Sequence, residues 1–204
     1  MKKKYDKTRI QEAVRAAELK SSGEFVTVIA KKSDSYNYIA LFWSAIIALT
    51  APPAVYLLFP AMDFHYIYLI QVAAFLLANI FFMNTSLVIY LIPRDLKHLR
   101  ARRLANESFF NQGIHTTKDR AGVLFFASLA EKYVEIIADK GINEKVSPDI
   151  WNKIVDKFIV DVRADEITRG MITAIESCSN ILAEHFPRHK NDANELGDKL
   201  IELD

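Results

Sequence analysis

Cysteine is the scarcest chemistry in this chain: one residue, Cys178, in 204. A lone thiol excludes an internal disulfide framework. Catalytic signatures are missing as well. There is no G-x-S-x-G, no P-loop, no H-E-x-x-H and no C-x-x-C. The nucleophile elbow, the phosphate cradle, the helical zinc site and the dithiol pair are therefore not starting points. The five histidines are scattered and build no nucleophile–base–orienter set. A formal net charge of +1 selects no partner through a global field. No internal repeat and no low-complexity tract is present. The opening stretch, MKKKYDKTRIQEAVRAAELK, is basic but has no apolar core behind it, so no cleavable signal peptide is expected there.

The most informative absence is of charge. After Asp34 the next Asp, Glu, Lys or Arg is Asp63, and after Asp63 it is Arg94. The first uncharged run holds the 22-residue stretch 39–60, about 33 Å long as a helix. The second holds 66–92 and is longer. Each exceeds the roughly 18 to 20 apolar residues that mark a membrane span. Only Ala61 to His65 separates them, so the pair reads as a transmembrane helical hairpin. The bland rival is a buried helical pair in a soluble protein. Pro52-Pro53 predicts a kink in the first span. Gln71, Asn79 and Asn84 are expected to face the first span or a partner, because an uncompensated amide in lipid is costly.

Flanking charge sets an expected topology. Lys2, Lys3, Lys4, Lys31 and Lys32 precede the hairpin, Arg94, Lys97, Arg100, Arg102 and Arg103 follow it, and the connecting turn has no Lys or Arg. The positive-inside rule then places both termini in the cytoplasm. The expected organisation is 1–38 as the first part of a domain, 39–92 as the hairpin and 93–204 as the remainder. The two flanks hold roughly 150 residues, enough for one core.

Outside the hairpin the periodicities alternate. Ile10, Ala13, Val14 and Ala17 mark an amphipathic helix from Thr8 to Lys20. Glu24 to Lys31 is an apolar, β-branched strand of the kind covered on both faces. Pro93 opens a basic helix from Arg94 to Asn111, which Gly113 ends. Ala121 to Leu129 is the most apolar strand and is expected to be central. A tight turn at Ala130, Glu131 and Lys132 leads to the strand Tyr133 to Ala138, giving an antiparallel hairpin. Ser147-Pro148 caps a helix carrying Trp151, Ile154, Val155 and Phe158. A further helix carries Ile167, Met171, Ala174, Ile175, Cys178, Ile181 and Leu182, which makes Cys178 a packed core thiol. Asp192 to Leu203 reads as a short terminal helix with Leu196, Leu200 and Ile201 inward. The first strand, the basic helix and the central strand form a βαβ unit, parallel and right-handed. The fold class is therefore α/β with a small mixed sheet, interrupted by the hairpin.

Several blocks in this order resemble a known family. SSGEFVTVI comes first, then ANESFFNQGIHTTKDRAGVLFFASLAEKYVEIIADKGI, then VSPDIWNKIV and GMITAI. Together they resemble the TPM domain, the type associated with thylakoid-lumen photosystem II repair, over residues about 8–38 and 94–190. The acidic tail is similar to a bacterial membrane-anchored branch, which implies the bacterial inner membrane as the location. The resemblance implies a three-layer α/β/α sandwich. It also implies phosphatase activity or divalent-cation binding, properties attributed to different members. Ala121-Gly122 stands where relatives often have Asn-Gly, and Glu131-Lys132 where they often have Asp-Arg.

With β-strands so arranged, Glu24, Asp119 and Asp139 fall at one edge of the sheet. Three carboxylates there would suit Ca²⁺ or Mg²⁺; the alternative is that each is a cap or a turn residue. Arg120 would hold a phosphate or pair with Asp119. His115, beside Thr116-Thr117, is a second ligand candidate, with a solvated loop histidine as its rival. Arg94, Lys97, Arg100, Arg102 and Arg103 form a membrane-surface stretch able to meet anionic lipids, or simply a topology signal. That stretch has no interleaved aromatics of the kind that stack bases, so no nucleic-acid partner is expected. Two functional readings follow. The first is a binding or accessory module for assembly or maintenance of other membrane proteins. The second is a divalent-metal-dependent phosphatase.

Overall fold

The computed structural model describes residues 5–85, 87–117, 119–188, 196 and 200–203. The chain divides into two compact units: residues 1–33 with 98–204, and residues 34–97.

The first unit is built on a four-stranded mixed sheet. Its strands are β1 (Glu24–Ala30), β2 (Gly122–Ser128), β3 (Tyr133–Ala138) and β4 (Leu200–Leu203), in the order β3-β2-β1-β4. β1 and β2 run parallel, Glu24 opposite Gly122 through Ala30 opposite Ser128. β3 is antiparallel to β2, and β4 is parallel to β1. Strands before and after the long insertion thus pair along their full length.

Side-chain alternation divides this sheet into two cores. Phe25 and Ile29 of β1 join Val123, Phe125 and Ala127 of β2 on one face. There they meet α1 (Lys7–Glu18), α7 (Pro148–Arg163) and α8 (Ile167–His185). Val26, Val28 and Ala30 join Leu124 and Phe126 on the other face, under Ala101, Ala105 and Phe109 of α5 (Arg94–Asn111). The result is three layers, α/β/α, as the family resemblance implies. Two helix starts follow local chemistry. Asp6 accepts the Thr8 N–H at 3.0 Å at the start of α1, and Ser147 precedes Pro148 at the first position of α7.

Thr27 sits on the first of these faces, between Phe25 and Ile29. It is fully buried, and its hydroxyl has no hydrogen-bond partner among the described residues. Thr27→Val keeps the shape and removes the unpaired oxygen. It is expected to raise stability by about 1 kcal/mol, read as a higher urea midpoint with an unchanged m-value.

The terminal segment departs from expectation. Leu200–Leu203 is strand β4, whereas the leucine spacing suggests a helix; residues 192–195 and 197–199 lie outside the described residues. The reason is tertiary. Leu200 enters the core on one face while Ile201 and Leu203 pack on the other. A segment apolar on both faces fits the free edge of β1 better than it fits a helix with one wet side. Glu202 points toward α1, where it accepts Tyr5 Oη at 2.9 Å and Lys7 Nζ at 3.0 Å. Burial, reinforced by Glu202, pushes the Tyr5 hydroxyl up to about 12 from its ordinary 10.0. A phenol held protonated contributes stability that is whole below pH 10 and lost as pH climbs toward about 12. Absorbance titration is expected to show a tyrosinate phase near pH 12, and Tyr5→Phe to remove it.

The second unit holds α2 (Asn37–Leu58), α3 (Phe64–Asn84) and α4 (Leu87–Leu91). α2 and α3 are long and apolar enough to cross a membrane. Only 11% and 6% of their apolar windows are buried, which is unlike the buried helical pair of a soluble core. The residues α2 does bury are small: Ala40, Ser44 and Ala48. On α3 the partly covered side carries Gln71 and Asn79, while Asn84 is exposed and donates to the Ile80 carbonyl at 2.9 Å. Pro52 and Pro53 lie inside α2 without ending it. The second apolar run is divided between α3 and α4, with Thr85 in extended conformation between them.

Candidate functional site

The amino-terminal edge of β1 and β2 is where the acidic candidates were expected to meet. Backbone geometry does bring two of them together. Glu24 pairs with Gly122 in the parallel ladder, and the Asp139 N–H donates to the Gly122 carbonyl at 2.9 Å. Both side chains are buried. Their chemistry differs from a cation cage. Asp139 accepts Arg120 Nε at 2.6 Å on one oxygen and Nη2 at 2.9 Å on the other. The second oxygen also accepts the Lys140 N–H at 2.7 Å, capping α6 (Lys140–Asn143). Both Asp139 carboxylate oxygens therefore accept hydrogen bonds from Arg120, and one of them also caps α6.

Among the described residues, which include Glu24, Asp119 and Asp139, no group of three His, Cys, Asp or Glu can hold a metal. Arg120 pairs with Asp139, not Asp119, and that hydrogen bond holds its pKa above the ordinary arginine value. Arg120 takes a left-handed backbone, φ 51°, which turns the loop back toward α6. Gly141 is required there because a Cβ would come within 2.6 Å of the Asp119 carbonyl. At this edge a fork-to-fork ion pair joins the loop before β2 to the end of β3.

His115 lies in the 3₁₀ turn Ile114–Thr116. Its ring stands edge-on to Phe110 at 5.1 Å, and its Nδ1 is buried without a hydrogen bond among the described residues. The five basic candidates also divide. Lys97 Nζ donates to the Ile89 carbonyl at 3.0 Å, and Arg100 is only partly exposed. Arg102 and Arg103 are 68% and 70% exposed, leaning on Glu135 at 3.6 Å and Glu107 at 2.8 Å. Arg94 is exposed.

The opposite edge holds a buried polar cluster that sequence reasoning missed. At the carboxyl ends of β1 and β2, where α/β sheets commonly place their ligands, Ser33, Ser128 and Glu131 converge. The Ser33 hydroxyl donates to Ser128 Oγ at 2.8 Å, and Ser128 donates to Glu131 Oε2. Glu131 Oε1 accepts the Ser33 N–H at 2.9 Å. Backbone bonds extend the seam: Leu129 N–H to Ala30 and Ala130 N–H to Lys31, both 3.0 Å. Ser128 and Glu131 are 2% and 5% exposed. The carboxylate thus ties residue 33 to the β2–β3 turn. Ser33 lies 98 residues from Glu131, so no local motif signals the contact. The one sequence hint was the acid of Glu131-Lys132 in that turn.

Cys178 is fully buried on α8, and burial pushes its thiol well above the usual range. It is expected to react with maleimide only when the α/β/α unit unfolds, with a rate that follows the unfolding equilibrium. Saturating reaction in native conditions would contradict this placement.

Residues 84–181 match the family model described as the TPM domain. Among solved structures, the NMR structure of the BA42 protein from the psychrophilic bacterium Bizionia argentinensis is similar, with a TM-score of 0.61. The two share 20% identity, and the alignment covers 99% of this chain and 97% of that one. At that identity the likeness shows the fold. No curated protein sequence matches the chain.

Proposed function

We propose, from the match of residues 84–181 to the TPM domain family model, that the chain is a membrane-anchored accessory module. In this reading the α/β/α unit faces the cytoplasm, held at a bacterial inner membrane by the α2–α3 hairpin, and binds other membrane proteins during their assembly or maintenance. One observation carries the reading: β1, before the hairpin, pairs along its whole length with β2, after it. Both flanks of the apolar insertion belong to one folded unit, which supports placing them on the same side of the bilayer in this reading. An anchor set inside a domain, rather than at its end, constrains both chain ends of the insertion and suits a module that works against the membrane surface. The flanking lysines and arginines support the cytoplasmic side.

Two measurements test this. Cysteines placed singly near the termini and in the Ala61–Asp63 turn are expected to label on opposite sides with an impermeant maleimide in spheroplasts. Full-length protein purified in mild detergent is expected to carry membrane proteins at a fixed ratio. Recovery of the chain alone, together with phosphate-ester turnover that requires added Mg²⁺ or Ca²⁺, would replace the accessory reading with an enzymatic one.

A further inference from the structure

α5 covers its face of the sheet with small residues. Ala101, Ala105 and Ser108 are buried along it, with Phe109. Its other side is uncovered among the described residues. Leu99 and Phe110 are 64% and 59% exposed there, spaced eleven residues apart with Arg103 and Asn106 between them. At 100° per residue these four positions form one stripe, flanked by Arg102. Along the whole helix five basic residues stand against two acidic ones.

A stripe of large apolar side chains interleaved with arginines is the pattern of a helix lying in a bilayer interface. Apolar groups enter the acyl boundary while guanidinium groups stay among the headgroup phosphates. The chain supplies the proximity. Leu99 follows the end of the apolar helix α4 by eight residues of chain. Among the described residues the arginines on the stripe pair with the carboxylates of Glu135 and Glu107, and pairs of exposed arginines exchange readily for phosphate.

We propose that the outer stripe of α5, Leu99, Arg102, Arg103, Asn106 and Phe110, docks on the anionic surface of the bilayer that the hairpin enters. This rests on the membrane reading above and adds a lipid requirement: phosphatidylglycerol-type headgroups hold the stripe down, whereas zwitterionic ones do not.

The test uses the full chain in nanodiscs. Leu99→Cys and Phe110→Cys are labelled singly with bimane; Cys178 is buried and leaves the label on the new site. Leu77→Cys, exposed on α3, is the control for the hairpin. Headgroup-level spin-labelled lipid is expected to quench the α5 labels at least about two-fold more in discs containing phosphatidylglycerol than in pure phosphatidylcholine. The double variant Arg102→Glu with Arg103→Glu is expected to abolish that difference. α5 labels open to aqueous iodide and unquenched by lipid in both discs overturn the proposal, as does quenching indifferent to headgroup charge. Shielding from iodide without lipid quenching assigns the stripe to a protein partner and also overturns it. If the Leu77 label escapes deep-lipid quencher, it is the membrane reading that fails; a quenched Leu77 beside silent α5 labels confines the failure to this inference.

Discussion

Glu131→Ala is expected to lower the stability of the α/β/α unit by about 4 kcal/mol, the sum of two stranded donors and a small cavity. The Ser33 N–H and the Ser128 hydroxyl both end on this carboxylate. Ser128 is 2% exposed, so water does not replace the lost acceptor. Each orphaned donor costs about 1 to 3 kcal/mol. Two further variants separate the hydrogen bonds from the mere loss of volume. Glu131→Gln keeps an acceptor for one donor and is expected to cost about half as much. Ser128→Ala removes a donor together with its need and is expected to cost about 1 kcal/mol. In the double variant Ser128→Ala with Glu131→Ala the losses are expected to be less than additive, since the alanine at 128 no longer requires a partner. Thiol exposure at Cys178 reads out this unit alone, because detergent keeps the hairpin helical. Equal costs for alanine and glutamine at 131 would show that the network contributes packing and no hydrogen-bond energy.

This same network marks where sequence reading stopped. Elements with chemical signals at their ends were legible. The basic helix between Pro93 and Gly113 is α5, and the strand Tyr133–Ala138 is β3, because proline, glycine and the change from period 3.6 to period 2 are local. The parallel pairing of β1 with β2 followed from the handedness of a βαβ unit, and it placed Glu24 and Asp139 at one edge correctly. What those side chains do at that edge was not legible. An Asp at the end of a strand reads alike as a metal ligand, a helix cap or an arginine partner. Asp139 takes the last two roles because the β2–β3 register brings residue 120 against it. β4 was misread for the same kind of reason. Leu196, Leu200 and Ile201 keep a helical spacing, and only the vacant edge of β1, far away in the chain, makes a strand the better burial. The short α6 escaped notice because four residues carry no period.

Gly122→Ala is expected to cost about 3 kcal/mol and to loosen both edges of the amino-terminal site. The reason is space, not backbone freedom. A Cβ at this position would stand 2.4 Å from Ile114 Cγ2 and 2.6 Å from the Ile114 carbonyl oxygen. A side-chain methyl can rotate away, but the oxygen belongs to the 3₁₀ turn that follows Gly113, whose φ of 69° already fixes the loop. Ile114 is itself fully buried under α5, so the turn has nowhere to retreat. Moving β2 instead disturbs the Gly122 carbonyl that receives the Asp139 N–H and the register that seats Glu24. The Arg120–Asp139 fork then loses its geometry, although neither residue has changed. A second substitution discriminates between the two contacts. Ile114→Ala removes the methyl clash and leaves the oxygen, so adding it to Gly122→Ala is expected to recover little stability. Full recovery would place the whole conflict in the side chain and free the turn from any part in holding this edge. Failure to recover means that the Ile114 carbonyl sets how closely Gly122 can approach, and that Glu24 and Asp139 are positioned through main-chain contact with this turn.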